Sequence, residues 1–351
     1  GSANISCTGA GNKYTNSSGV LDSYNSTCIS SDCRVYIKGG SITTSTSTAA
    51  SGGKGISSNG SIFIGDSIGV PNISLTTTGA KFLVSGTNYC HPKTLVSDSS
   101  ITVLSGNITI SSTDDGIHAE KNFTQNGGSF NILNSVEGVE AFKIEINSGT
   151  LNIQASNDGI NGTAGLVAGG TESNDGSQFI MNGGTLVSNC SAGDAVDCNG
   201  NIYINGGLVI ANGPQTGVEE ACDFNGSFNM NGGTFIGSGS NSNMTKAMST
   251  TSTQANMLIK SSTAIPSTSF LRIQNSTGGE VLTFKPKYGG YYFLFSSPDL
   301  LKGSTYSIYT GGSYSGGNNN NGLYTGGNYT SGTLKKTVTL STSSTVNTIT
   351  F

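Results

Sequence analysis

Apolar side chains come in short alternating runs along this chain, set apart by glycine and small polar residues. Examples are SITVLSGNITI from Ser100, SFNI from Ser129, TLNI from Thr150, NIYI from Asn201 and TFIG from Thr234. Alternation of this kind is the period of a half-buried strand, because successive side chains of a strand point to opposite faces. Long helices are disfavoured by the 52 glycines and by the sparse Leu and Ala. The pattern predicts an all-β protein with frequent turns.

The runs recur with two markers. The first is an acid at a bend: Asp115-Gly116-Ile117-His118, Glu137-Gly138-Val139-Glu140, Asp158-Gly159-Ile160-Asn161, Asp194-Ala195-Val196-Asp197 and Glu220-Ala221-Cys222-Asp223, at steps of 22, 21, 36 and 26 residues. The second is NGG or NSG, beginning at Asn126, Asn147, Asn182, Asn205 and Asn231, with an alternating strand after each. A repeat of this length holding several short strands is what one coil of a parallel β-helix requires. Coils stack at about 4.8 Å and bury alternate side chains in a shared core. The fold class expected is a right-handed parallel β-helix of about seven coils with a small C-terminal β-domain as cap. Weaker coils are expected near Lys38, Gly53 and Ser100, and Asn and Gly are expected to take left-handed conformations at the corners. The longest step holds a protruding loop over Thr163–Ser177. The organisation expected is an N-terminal segment over 1–37, the β-helix over 38–252, and a β-rich domain and tail over 253–351. The Leu ladder of leucine-rich repeats and the GGxGxDxUx nonapeptide are both missing.

Composition narrows the class. Only 10% of residues are charged, yet the net charge is -4, too small for a chain kept disordered by self-repulsion. No apolar run approaches the length of a membrane span, and no phosphate loop or basic nucleic-acid signature occurs. The 7 cysteines form no CxxC pair, which speaks against zinc. An N-terminal disulfide among Cys7, Cys28 and Cys33 suits an exported protein, and the expected location is extracellular or at the cell surface.

Charge also singles out the bends. Between Lys143 and Lys246 the chain holds nine acids and no Lys or Arg. Carboxylates stacked about 5 Å apart repel by roughly 3 kcal/mol per neighbour at a surface-like dielectric. A bound cation is the expected neutraliser, and hard oxygen ligands favour calcium. The candidate ligands are Asp114, Asp115, Glu137, Glu140, Asp158, Asn161, Asp194, Asp197, Glu219, Glu220 and Asp223. The simpler alternative is that Asp and Asn are good corner residues whose side chains cap backbone amides.

DDGIHA, EGVEA, NDGIN and AGDAVDCNGNIYINGG, with SSPDLLKGSTYSIYTGG near the end, resemble the bacterial carbohydrate-binding parallel β-helix family first described in a cellulolytic clostridium. The resemblance runs from Lys38 to the C-terminus. It implies a secreted, non-catalytic protein that binds calcium and acidic plant cell-wall polysaccharide such as polygalacturonate, with calcium at the bend acids. Ala after Asp194 and Glu220 departs from the usual glycine, and Lys54 stands where an early coil would carry an acid, which centres the expected sites on Asp114 to Asp223. Tyr288, Tyr291 and Tyr292 are candidates for stacking on sugars. Two alternatives differ in class. One is a matrix or filament subunit that self-associates through its β-helix ends. The other is a calcium-dependent polysaccharide lyase, for which the available bases are His118, Lys121 and Lys143, the two lysines each six residues after a bend acid.

Overall fold

The alternating runs form strands that stack in register. In the computed structural model, residues 1–165, 173–330 and 332–351 are described, and every regular element among them is a strand. One sheet runs in parallel through Ser2–Cys7, Ser41–Thr46, Asn72–Thr76, Asn107–Ser111, Ser129–Ser135, Thr150–Ala155, Thr185–Cys190, Leu208–Asn212 and Thr234–Gly239. A second holds the bend strands, from Thr27–Ser31 and Lys54–Ser58 through Leu95–Ser97, Ile117–Gln125 and Val139–Ile146 to Asp223–Phe224. Each chain turn adds one strand to each ladder, the arrangement of a parallel β-helix.

Register explains the core. In-facing residues stack as columns: Ile108, Phe130, Leu151, Leu186, Val209 and Phe235 in the first sheet, and Ile62, Ile101, Phe123, Ile144, Phe179, Ile202 and Phe228 in the second. All are buried in one contiguous core. Burying each such side chain contributes about 1.5–3 kcal/mol. Phe228 meets both Phe224 and Phe235 edge-on, with centroids 5.7 and 5.0 Å away.

The two sequence markers have different physical jobs. After each Asn of NGG or NSG, the last glycine takes a positive φ, 76° at Gly128, 91° at Gly149 and 78° at Gly184. The asparagines stack as an amide ladder: Asn147 donates to Asn126 at 2.8 Å, Asn182 to Asn147 at 2.7 Å, Asn205 to Asn182 at 2.8 Å and Asn231 to Asn205 at 2.9 Å. The bend glycines are not left-handed. A Cβ on Gly138 would stand 2.3 Å from the Gly159 carbonyl oxygen, so glycine is needed there for close stacking and not for its φ.

The ladder begins ahead of residue 38. Ser2–Cys7 pairs in parallel with Ser41–Thr46, and Thr27–Ser31 with Lys54–Ser58, so the segment 1–37 takes part in the coils. Residues 166–172 of the loop expected over 163–177 lie outside the described residues. Its flanks are informative: Ile160–Gly162 and Gln178–Met181 both pair with the single preceding strand Val139–Ile146. The extra residues therefore interrupt one strand position and leave the stack intact.

After Thr234–Gly239 the direction reverses. Gly290–Ser296 adds antiparallel to that last coil, followed by Asn256–Ile265 and Val346–Thr350, so the open edge is continued and then ended. A six-stranded antiparallel sheet completes the C-terminal part, its Leu271, Ile273, Phe284, Tyr306 and Ile308 sharing a second core with Val187, Ile210 and Ile236 of the solenoid. All seven cysteines are free thiols; burial, with Cys7 beside it, pushes the Cys28 thiol up to about 12.

Candidate functional site

The register of the second sheet converts the bends into two columns of side chains. Ile56, Leu95, Ile117, Val139, Ile160 and Val196 align, which puts the residue two places before each in one column: Lys54, Lys93, Asp115, Glu137, Asp158 and Asp194. Glu220 follows Asp194, since its carbonyl accepts from the Ala195 N–H. A second column, one residue after the aligned apolar position, runs His118, Glu140, Asn161, Asp197 and Asp223. The bend acids do share one face. They form two unlike groups.

The first group is built around Lys93. Its ammonium lies 2.5 Å from Asp115 Oδ2, 3.2 Å from Glu140 Oε2 and 2.8 Å from His118 Nδ1. His118 donates through Nδ1 to Glu140 at 2.6 Å and through Nε2 to Glu120 at 3.0 Å, while His91 lies 2.5 Å from Asp114. Burial opposes the charge on Lys93, but Asp115, Glu140 and Glu137 hold its pKa above the ordinary lysine value. Burial likewise opposes charge on His118, yet its bonds to Glu120 and Glu140 raise it to about 9. Glu140 is pulled down despite burial, by His118 and Lys93. Asp115 is raised to about 7, because desolvation and the neighbouring Glu140 and Asp114 outweigh Lys93. Burial, with Asp115 and Glu140 nearby, also raises Glu137.

Asp115, His118 and Glu140 present donor atoms close enough for a metal, but the Lys93 ammonium stands among them. A metal ion fits there only if that lysine leaves. Lys93 places a positive charge of the chain's own beside these bends. Lys93 falls outside the acidic pattern: HPKTLV is the preceding coil of the same repeat, with lysine in the acid's place.

The second group has no such lysine at its centre. Asp194, Asp197 and Asp223 bring carboxylate oxygens within 4.8 Å of one another. Asp158 Oδ1 accepts the Asp194 N–H at 2.8 Å, and Asp194 Oδ1 accepts the Glu220 N–H. The capping role considered for these aspartates is therefore present, and it uses one oxygen of each. Asn161 donates to Glu137 at 2.8 Å while its own oxygen is buried without a partner. Neither buried oxygen of Glu220 has a well-formed hydrogen bond, although Ser242 and Thr245 stand nearby.

Electrostatics follows. Burial raises Asp194 to about 9, aided by Asp158, Asp197 and Glu219 and opposed by the Glu220 N–H. Burial likewise raises Asp158 to about 6 and Glu220 to about 7. Lys246, half-exposed, pairs with Asp223 Oδ1 at 3.1 Å and rests on the Phe224 ring. A set of oxygen donors only, with buried acceptors left over, fits a hard divalent cation of the calcium type. Asp194, Asp197 and Asp223 would hold it, and it would supply positive charge to an otherwise repulsive face.

The residues weighed as lyase bases do not assemble. A register irregularity between Ala119 and Asn122 sets Lys143 opposite Asn122, so Lys121 and Lys143 are out of line. Lys143 pairs with Glu145 at 2.8 Å, and Lys121 lines a separate cleft with Asp32, Arg34 and Asp98. His118 is held as a cation between two carboxylates and is poorly suited to accept a proton. Tyr291 and Tyr292 are neighbours in one strand and face opposite sides, so they make no common platform.

The fold and this face define a parallel β-helix solenoid carrying a charged ladder. Residues 1–138 match the model of a family described as carbohydrate-binding domain-containing protein, which agrees with the carbohydrate-binding family expected from the bends. The match includes Lys93, Asp115 and Glu137 and stops before Asp194. No curated protein and no solved structure matches the chain.

Proposed function

We propose that this protein is a secreted, non-catalytic module that binds acidic polysaccharide through calcium held by Asp194, Asp197 and Asp223. The observation that carries the proposal is the convergence of those three carboxylates beside buried oxygens that lack hydrogen-bond partners. An anionic sugar is repelled by bare carboxylates; a divalent ion with open coordination positions turns the same face into an acceptor for uronate carboxylates. Asp197 and Asp223 are only partly buried, so an ion between them has access to solvent and to a polymer. The carbohydrate-binding family match supports a sugar ligand.

The test is retention of the protein on polygalacturonate with calcium and with chelator, beside neutral cellulose, while unsaturated product is followed by ultraviolet absorbance. Retention on polygalacturonate that chelator abolishes, without product, is expected. Product formation would establish a lyase, and neither retention nor product would favour the structural-subunit alternative.

A further inference from the structure

The C-terminal part carries a second charged feature that the acidic ladder does not explain. Where its antiparallel sheet meets the solenoid there is a cleft of about 340 Å³. Lys285, Lys287, Asn321, Ser267 and Tyr324 line it, with Asn189 of the Thr185–Cys190 strand beneath. No carboxylate lines it, and among the described residues neither lysine forms an ion pair. Lys285 Nζ lies over the Phe270 ring at 5.7 Å and Lys287 Nζ over the Tyr288 ring at 5.6 Å. In a chain of net charge -4, two lysines lining one cleft without a counter-charge call for an anion.

The cleft is held by the fold. The Lys287 N–H donates to Asn212 Oδ1 at 3.0 Å, and Asn212, fully buried, donates to Asn189 at 3.0 Å. The Lys285 N–H donates to the Gly322 carbonyl at 2.8 Å. Asn321 and Gly322 take φ of 50° and 93° at the tip of the hairpin joining Asn318–Asn320 to Leu323–Thr325, the two left-handed residues of a tight hairpin turn. The Tyr324 ring is fixed edge-on against Phe270 and Tyr314, at 5.1 and 5.2 Å between centroids. Lys287 bonds to Gln154, a neutral partner, and burial lowers its pKa below the ordinary value, the direction expected without a counter-ion.

We infer that this cleft is a metal-independent subsite for the carboxylate of an acidic sugar, with Lys285 and Lys287 taking the carboxylate. Asn321 and Ser267 then meet ring hydroxyls, and Tyr324 offers an aromatic edge and a hydroxyl. The volume has room for roughly one or two sugar rings, at the small end of ligand pockets. The inference rests on the acidic-polysaccharide reading and adds to it a contact that needs no calcium.

The experiment is calorimetric titration of the whole protein with trigalacturonate and with a neutral galactose trimer, each in calcium and in chelator. Variants are Lys285→Ala/Lys287→Ala and Lys285→Arg/Lys287→Arg, with melting curves confirming that each is folded. In chelator the wild type is expected to bind trigalacturonate weakly and in preference to the neutral trimer. The alanine pair should lose at least tenfold, and the arginine pair should retain binding. Absence of chelator-resistant binding, or binding indifferent to the alanine pair, overturns the subsite. If calcium-dependent retention on the polymer then persists, the subsite alone has failed. If retention is absent while lysine-dependent trimer binding remains, the calcium reading has failed and the subsite stands.

Discussion

The two halves of the ladder use the same repeat and resolve its charge in opposite ways. Around Asp115 and Glu140, a lysine from the preceding coil and a doubly bonded histidine balance the acids internally. Around Asp194 a half-exposed lysine, Lys246, pairs with Asp223 and acts on Glu220, yet buried acids are pushed up to about 9, 7 and 6 at Asp194, Glu220 and Asp158. The first half carries its own cations, although Asp115 and Glu137 remain raised there. The second holds charge it cannot satisfy alone, which is the condition for taking up an ion.

The strongest break of this contrast is Lys93→Met. Removing one partner of a buried charge cluster typically costs about 3–5 kcal/mol. Urea unfolding in chelator should show a loss of that size, with much of it restored by calcium, because Asp115, His118 and Glu140 are then open to a metal. An unchanged midpoint in chelator would remove Lys93 from the account.

Next in size is calcium itself. An ion that binds only the native state stabilises it by about 2.7 kcal/mol at a hundredfold excess over Kd. Wild type should gain this, and Asp197→Asn/Asp223→Asn should not. Equal gains in both would place the ion elsewhere.

Acids with depressed values lie in the first half, where Asp115 and Glu137 are nonetheless raised like the acids of the second. Asp158, Asp194 and Glu220 have folded pKa values above those of the unfolded chain, so between pH of about 4 and 9 the native state binds more protons. Their contribution is present in mild acid and is lost as pH rises through those values. Asp114 and Glu140 are depressed, so theirs is present above about pH 4 and is lost on further acidification. Urea midpoints in chelator should therefore decline from pH 5 to 9, and calcium should flatten that decline. A midpoint rising over this range would contradict the assignment.

The smallest effect is a control that should not distinguish the halves. Asn182→Ala breaks the amide ladder between Asn147 and Asn205 and should cost about 0.5–1.5 kcal/mol per hydrogen bond lost. The loss should be the same with and without calcium. A calcium-dependent loss would tie that ladder to the metal face.

Much of the fold was legible because period and markers state it directly. Alternating runs give strands, and the interval between bends gives the coil, so columns such as Phe123, Ile144 and Phe179 follow from spacing. The coils before residue 38 were hidden because they lack both markers. Of the site, the shared face of the acids was readable, but its division was not. Lys93 breaks the acidic pattern at the position where register makes it most consequential, and only pairing with Asp115 and Glu140 across coils reveals it. Lys285 and Lys287 were invisible for a related reason: the hairpin tip at Asn321 and the solenoid residue Asn189 are far from them in sequence.

The most direct test of the central claim is anomalous scattering from a crystal of the protein grown with terbium or another heavy mimic of calcium. The account predicts a peak among Asp194, Asp197 and Asp223 and none between Asp115 and Glu140, where Lys93 stands. A peak at the Lys93 cluster, or none at the Asp194 cluster, would contradict it.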